Sequence, residues 1–435
     1  MEQKAWVISV NMGYGHQRTA YPLRFLAVEG KVINANDYEG IPKKNKEIWD
    51  SIRKGYEFVS NFKRIPLVGQ VSFYMMDRVQ RIWNFYPKRD LSKPNPQLKQ
   101  TMATIRSGWG KELIERLESK NKELGVDLPI ISTFFTPAFM AETFNYSGKI
   151  FCVICDADIS RTWAPLNPGE SKIRYLAPTE RVVERLKLYG VKPKNIFFTG
   201  FPLPLENIGS ENMEILKEDL RYRLLNLDPE KRYLKKYKIL VEANLGELPE
   251  KSDHPLTVLF SVGGAGAQKE MAVKIFRSLT EKIRRGEIKM ILSAGIKKAV
   301  KEYFEREIGK DFFSASSKGN IEILFGKDIN DYFEKFNKVL RKTDILWTKP
   351  SELSFYSALG IPIIVAPTIG SQEDFNMRWL LKSGFGLFQE NPKYTEQWLF
   401  DWISQGYLAE AAMQGFVEGE KLGTFKITQL IQECR

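Results

Sequence analysis

Two series of short, unbroken apolar runs punctuate this chain, separated by charged stretches in which apolar residues recur at helical spacing. The first series comprises Ala5 to Val10 and runs near 129–134, 149–155, 173–177 and 195–199; the second lies near 256–262, 288–293, 320–325, 344–347 and 362–366. Runs this short, without alternation, suit strands buried on both faces. Their alternation with helical stretches predicts parallel sheets built from strand–helix–strand units.

The spacing of the two series predicts two domains, and a length of 435 residues agrees, because it exceeds what one core usually supports. The first domain is expected over 1–204, interrupted by a helical insertion at 41–118. A charged connector follows over 205–254, helical around Met213 to Leu227. The second domain is expected over 255–395, and helices over 396–435 close the chain.

Glycine turns mark where chemistry could sit. The run Ala5 to Val10 leads into Asn11-Met12-Gly13-Tyr14-Gly15-His16-Gln17-Arg18, a strand, a glycine turn and a helix start. Ligands of open α/β sheets bind at the carboxyl ends of strands, which makes His16 a candidate catalytic base with Gly13, Gly15 and Arg18 beside it. The plain alternative is a strand–helix turn whose histidine has no special role. A second turn, Gly263-Gly264-Ala265-Gly266-Ala267-Gln268, follows the buried run Leu256 to Val262 and precedes a helix from Lys269 to about Arg285. Small residues there let an anion reach the backbone N–H groups and positive dipole of a helix start, so Gly263, Gly264, Gly266 and Gln268 are expected to cradle a diphosphate. The run lacks the Gly-Lys-Ser/Thr ending of a Walker loop, and no acidic residue closes a strand about twenty residues on, as a dinucleotide fingerprint would require.

A third stretch runs from Asp344 through Trp347-Thr348-Lys349-Pro350-Ser351-Glu352 to Gly360-Ile361-Pro362, then into a strand and Gly370-Ser371-Gln372-Glu373-Asp374-Phe375-Asn376. Ser351 and Glu352 are expected at a helix start, serving phosphate and ribose, while Gln372, Glu373 and Asn376 offer amides and carboxylates suited to sugar hydroxyls. Lys349 is read as packing near the site. A fourth stretch holds Asp156, Asp158 and Trp163, then Thr179-Glu180 and Thr199-Gly200-Phe201-Pro202.

In their order along the chain, these four stretches resemble the diacylglycerol glycosyltransferases of the monogalactosyldiacylglycerol-synthase type and, more distantly, the peptidoglycan lipid-linked N-acetylglucosaminyltransferase. The resemblance spans residues 5 to about 390 and implies the GT-B architecture: two Rossmann-like domains facing across a cleft, the second binding the nucleotide sugar and the first admitting the acceptor. It also implies a C-terminal tail folded back on the first domain. One departure concerns a glutamate that the family usually carries about eight residues before the Gly-x-Pro proline; Phe355 falls near that place here, and Glu352 is the candidate to replace it. The expected activity is inverting sugar transfer from a nucleotide diphosphate donor, with UDP favoured, to a lipid acceptor. His16 or one of Asp156 and Asp158 would act as base, and Trp163 would stand at the acceptor side. Asp156 and Asp158 have Asp-x-Asp spacing but fall on the acceptor side, so neither metal nor cofactor is expected. A nucleotide-sugar epimerase, another GT-B enzyme on a soluble substrate, and an inactive GT-B scaffold are the competing classes.

Charge narrows the partners. The formal net charge is +12, which calls for a polyanion. Between Lys43 and Arg89 eleven Lys or Arg face four Asp or Glu, interleaved with aromatics such as Trp49, Phe62, Phe73, Trp83, Phe85 and Tyr86. With no RRM, KH or OB pattern beside it, this stretch argues against nucleic acid and for an anionic membrane surface, the plain alternative being a helical core with a solvated face. No apolar run is long enough to span a bilayer, and the N-terminus carries no signal-peptide pattern, so a cytoplasmic protein peripheral to the inner face is expected. Cys152 and Cys155, three apart on an expected strand, point to opposite faces and predict no zinc site.

Overall fold

The computed structural model describes residues 3–62, 82–261, 263, 266, 268–309, 319–368 and 370–433. The expected phosphate-loop residue Gly264, the middle of the basic aromatic segment from Lys63 to Arg81, and Cys434 lie outside the described residues.

The apolar runs form strands. In the first sheet these are β1 (Trp6–Ser9), β2 (Ile33–Asn34), β3 (Ile130–Ser132), β4 (Ile150–Val153), β5 (Arg174–Ala177) and β6 (Ile196–Phe198), all parallel, in the order β2-β1-β3-β4-β5-β6. The second sheet holds β7 (Thr257–Ser261), β8 (Lys289–Gly295), β9 (Ile321–Phe325), β10 (Ile345–Thr348), β11 (Ile363–Val365) and β12 (Gly386–Phe388), also parallel, in the order β12-β11-β10-β7-β8-β9. Two Rossmann-like sheets flanked by helices are the fold class that the sequence pattern predicts. Only the edge strands β2 and β12 escape it. Gly386 shows why a strand fits there: a Cβ on it would stand 2.1 Å from the carbonyl oxygen of Ile363, so the missing side chain lets β12 pair with β11.

The chain divides into two compact units, the first made of 1–202, 369–376 and 422–435, the second of 203–368 and 377–421. In the first, Val7, Ile131, Phe151, Val153 and Leu176 pack with Leu23 and Leu26 and with Ile427 and Ile431 of the last helix, Gly423–Gln432. Each such side chain removed from water contributes roughly 1.5–3 kcal/mol. The last helix begins against Phe201, whose carbonyl oxygen would lie 2.2 Å from any Cβ on Gly423. Helices Lys43–Phe62, Pro96–Arg106 and Lys111–Leu124 fill the described part of the expected insertion. Residues 82–95 are not helical, which corrects the reading of that stretch as helix. Pro87 and Pro94 interrupt the pattern there, and proline both removes a donor and restricts the residue before it.

In the second unit, helices Glu214–Leu227 and Arg232–Leu245, from the expected connector, pack on helix Tyr407–Glu418. That helix also clasps the segment after β10, which is a 3-10 helix over Glu352–Leu359 with all eight residues buried. Contact is close because Gly415 has no Cβ, which would fall 2.3 Å from the carbonyl oxygen of Ser357.

At the amino ends of β7 and β10 a polar clamp closes the second sheet. Asp344 is fully buried and accepts from the Thr257 backbone N–H at 2.7 Å, from Asn226 Nδ2 at 3.0 Å, and from His254 Nε2 at 3.1 Å. The other imidazole nitrogen meets Asp253, itself paired with Lys342 at 3.3 Å. Burial alone would lower the His254 pKa, but hydrogen bonds and charge from Asp344 and Asp253 outweigh it and hold the value above the ordinary 6.5. A raised folded-state pKa stabilises below the unfolded value and loses that stabilisation as pH rises through the folded one. Melting temperature should therefore fall as pH is raised from about 6.5 through the elevated pKa, and His254→Gln, costing roughly 2–3 kcal/mol at pH 6, should flatten that part of the profile. A profile unchanged by the substitution would remove the imidazolium from the clamp.

Candidate functional site

In both sheets the strand order reverses beside the first strand, between β1 and β3 and between β7 and β10. Connections leave such a point in opposite directions, which opens a crevice at the carboxyl ends of the two strands. Each unit brings one predicted glycine turn to its own reversal point.

In the first unit, β1 ends in a turn whose backbone is held from both sides. Asn36 Oδ1 accepts from the Asn11 N–H at 2.8 Å, and Asn36 Nδ2 donates to the Asn11 carbonyl at 3.1 Å. Sequence reasoning missed Asn36, because nothing in its neighbourhood marks a role for it. Gly13 then takes φ +101°, a conformation open to glycine but strained for other residues, and helix Tyr14–Ala20 begins. His16 sits on this helix with Nδ1 2.8 Å from the carbonyl oxygen of Thr133, the residue that follows β3, while the Thr133 hydroxyl donates to the His16 carbonyl at 3.0 Å. A carbonyl can only accept, so the neutral imidazole carries its proton on Nδ1 and its lone pair on Nε2. Phe134, with ring centroids 4.7 Å away, and Trp163, at 6.4 Å, wall the imidazole. Trp163 is thus beside His16 as expected. Cys155 Sγ lies 3.5 Å from Nδ1, a neighbour that the strand reading of Cys155 did not anticipate. Gly15 lies within the same helix and its carbonyl accepts from Thr19 Oγ1. Arg18, expected at an open acceptor side, is buried.

The loop after β4 sorts the two aspartates. Asp158 is buried, and both of its oxygens are taken by Arg185, Nε donating to Oδ1 at 2.8 Å and a terminal nitrogen to Oδ2 at 2.7 Å. Oδ1 also accepts the Ile159 N–H at 2.9 Å. Asp158 is thus committed to a buried bidentate ion pair with Arg185. Thr179 joins this network as the N-cap of helix Glu180–Leu188, accepting from the Val182 N–H and donating to the Ala157 carbonyl at 3.0 Å. Asp156 is only half-buried; its Oδ1 accepts from Asn376 Nδ2 at 3.1 Å, while Asn376 Oδ1 accepts the Ala157 N–H at 2.7 Å. The Asn376 carboxamide thus braces the Asp156–Ala157 loop. Gln372 and Glu373 belong to the same segment, 369–376, which groups with the first unit.

In the second unit, the Gly266 N–H donates to the Gly263 carbonyl at 2.7 Å, and Gly266 takes φ +70°, tightening the turn before helix Lys269–Arg285. Gln268 caps it with φ +68° and anchors it across the sheet, Nε2 donating to the Pro367 carbonyl at 2.7 Å. Lys349, at the end of β10, lies along Gly263: a Cβ there would come within 2.5 Å of Lys349 Cε. The aliphatic stem thus packs as expected, and it brings an ammonium to the same turn. Ser351 precedes the 3-10 helix, Glu352 is buried at its first position, and Phe355, in the place of the family glutamate, stacks on Trp379 with centroids 5.1 Å apart. The glycine turn, the start of helix Lys269–Arg285 and the Lys349 side chain thus meet after β7. Among the described residues no three His, Cys, Asp or Glu side chains gather to hold a metal ion.

Residues 249–318, which include β7, the glycine turn and its helix, match the model of a domain of unknown function, DUF6938. No curated protein matches the chain. Among solved structures, the chain is similar to the UDP-GlcNAc 2-epimerase of Neisseria meningitidis bound to UDP-GlcNAc, at 13% identity and a TM-score of 0.46 over 79% of this chain and 84% of that one. It is similar to MurG of Acinetobacter baumannii at 14% identity and a TM-score of 0.44, over 84% and 89% of the two chains. Anabaena HepE in complex with UDP-glucose follows at 11% identity and a TM-score of 0.37, over 91% and 97%. With all three TM-scores below 0.5, the functional reading stands on this chain's own residues.

The two aspartates should part company in a stability measurement. Asp158→Ala leaves the Arg185 charge buried without its partner and should cost roughly 3–5 kcal/mol in urea unfolding, whereas Asp156→Ala should change the midpoint little. Equal effects would contradict the ion-pair reading.

Proposed function

We propose that this protein is a glycosyltransferase moving a sugar from a nucleotide diphosphate donor, a UDP-sugar, to a lipid hydroxyl at an anionic membrane surface, with inversion and without a metal. The observation that carries the reading is the anchored His16: Thr133 holds its Nδ1 proton and fixes the imidazole at the reversal point of the first sheet, where it would serve as the base. The acceptor oxygen would form its bond to the anomeric carbon as the bond to the diphosphate breaks. The hydroxyl proton passes to Nε2, and the electron pair leaves with the diphosphate, whose charge the Gly263–Gln268 turn and Lys349 would meet.

The membrane part of the reading is supported by the described edge of the basic segment. Trp83 and Tyr86 are 47% and 68% exposed, Arg89 lies over the Trp83 ring at 5.8 Å, and Arg181 stacks on Phe85 at 3.7 Å. Aromatic rings with cations beside them suit a headgroup layer. Among the described residues no helix is long and apolar enough to cross a membrane. Such a protein would work from the cytoplasmic face.

UDP should raise the melting temperature, since a ligand that binds only the folded state stabilises it by mass action. Gly263→Val, which displaces Lys349 and fills the turn, should abolish the shift; if no nucleoside diphosphate moves the melting temperature, the donor-site assignment is wrong.

His16→Ala should lower transfer by roughly 10²–10⁴-fold, the range for a lost general base, while leaving the UDP shift intact. The assay uses radiolabelled nucleotide sugars with mixed lipid acceptors, chelator present. Label in extracted lipid supports transfer, an epimerised nucleotide sugar would establish the epimerase class, and no turnover of either kind would leave a scaffold. Unchanged turnover in His16→Ala would pass the base to Asp156.

A further inference from the structure

Helix Arg232–Leu245 in the second unit is built with two unlike faces. Tyr233, Val241 and Leu245 are buried at steps of about a helical turn, and Tyr233 stacks on the half-buried Tyr237, centroids 4.8 Å apart. Packing on helices Glu214–Leu227 and Tyr407–Glu418 accounts for this side. The opposite side breaks the usual rule for a helix on a protein surface. Ile239 stands at its centre with 85% of its area exposed, and Leu240 beside it is 40% exposed. Around them are Lys231, Lys235, Lys236 and Lys238, all exposed. No acidic residue occurs from Lys231 to Val241; Glu230 precedes the stretch, and Glu242 follows it, pairing with Lys238 at 3.6 Å.

Apolar and cationic groups on one exposed face fit a limited set of partners. The apolar contact is one isoleucine and part of a leucine, far short of the roughly 800 Å² per partner that a stable protein interface buries. Single-stranded nucleic acid wants exposed aromatic platforms, and the two tyrosines here are committed to each other and to the unit's interior. An anionic lipid surface suits both parts: lysines gain electrostatic attraction among the headgroups, their stems lie along the interface, and the central Ile239 enters the acyl boundary.

We propose that helix Arg232–Leu245 docks on anionic membrane surfaces through Ile239, Lys235, Lys236 and Lys238. This contact is separate from the Trp83–Arg89 edge, and it extends the membrane part of the proposed function to the second unit.

The test measures depletion of the full chain by sucrose-loaded vesicles of phosphatidylglycerol and phosphatidylcholine. Three proteins are compared: the unsubstituted chain, a helix variant (Ile239→Asp with Lys235, Lys236 and Lys238→Gln), and an edge variant (Trp83→Ser with Lys88 and Arg89→Gln). Every substitution sits at an exposed position, and unchanged melting temperatures verify the fold. The helix variant should bind at least tenfold more weakly to anionic vesicles, and Ile239→Asp alone should weaken binding where salt already screens the lysines. Ile239→Leu should bind like the unsubstituted chain. Undiminished binding by the helix variant with loss confined to the edge variant overturns the proposal and leaves the membrane reading standing. If the unsubstituted chain ignores anionic vesicles at low salt, both fall, and loss of binding to an oligonucleotide in the helix variant would then identify nucleic acid as the partner. The UDP shift, which does not involve this helix, reports separately on the donor site.

Discussion

Reversal of strand order beside the first strand of each sheet governs where this molecule can do chemistry. A parallel sheet covered on both faces must send its chain out and back through its ends, and only at the reversal points do neighbouring connections diverge. In the first sheet that point receives the Asn36-braced turn, His16 and Thr133; in the second it receives the glycine turn, Gln268 and Lys349. The surrounding hydrogen bonds fix these groups instead of leaving them on free loops. An imidazole whose proton is committed to a backbone carbonyl is fixed in orientation, and a glycine turn crossed by a lysine stem is fixed in place.

Much of this was legible in the sequence because it follows from local rules. The apolar runs gave ten of the twelve strands nearly to the residue, since strands buried on both faces leave an unbroken hydrophobic signature. Ile33–Asn34 is only two residues long and Gly386–Phe388 opens on a glycine, so neither left such a mark. His16 stood out as one of two histidines in the chain and by its place after a strand and a glycine. What sets its tautomer, however, is Thr133, more than a hundred residues away, and no local pattern encodes that pairing.

The aspartates and Asn376 show the limit more sharply. Asp156 and Asp158 look equivalent in a list of candidates, yet Arg185 turns one into a buried structural ion while the other stays half-buried. A carboxamide within a Gln-Glu-x-x-Asn string reads naturally as a sugar ligand, and the same chemistry lets Asn376 satisfy a backbone N–H and a carboxylate across the Asp156–Ala157 loop. Side-chain type sets what a group can do; tertiary neighbours decide which of those things it does. The second histidine makes the same point from the other side. His254 lies in an unremarked polar stretch, and only the fold reveals that two carboxylates converge on it.

The last helix carries a consequence for how the molecule comes into being. Ile427 and Ile431 complete the hydrophobic layer against Leu23 and Leu26, and Gly423 exists where Phe201 leaves no room for a side chain. During synthesis, the strand–helix unit with His16 is made more than four hundred residues before Ile427 and Ile431, and its apolar face stays uncovered until they follow. A fragment ending near residue 202 would hold every strand of the first sheet and still expose that layer to water. The first unit is sealed only after every residue of the second has been made.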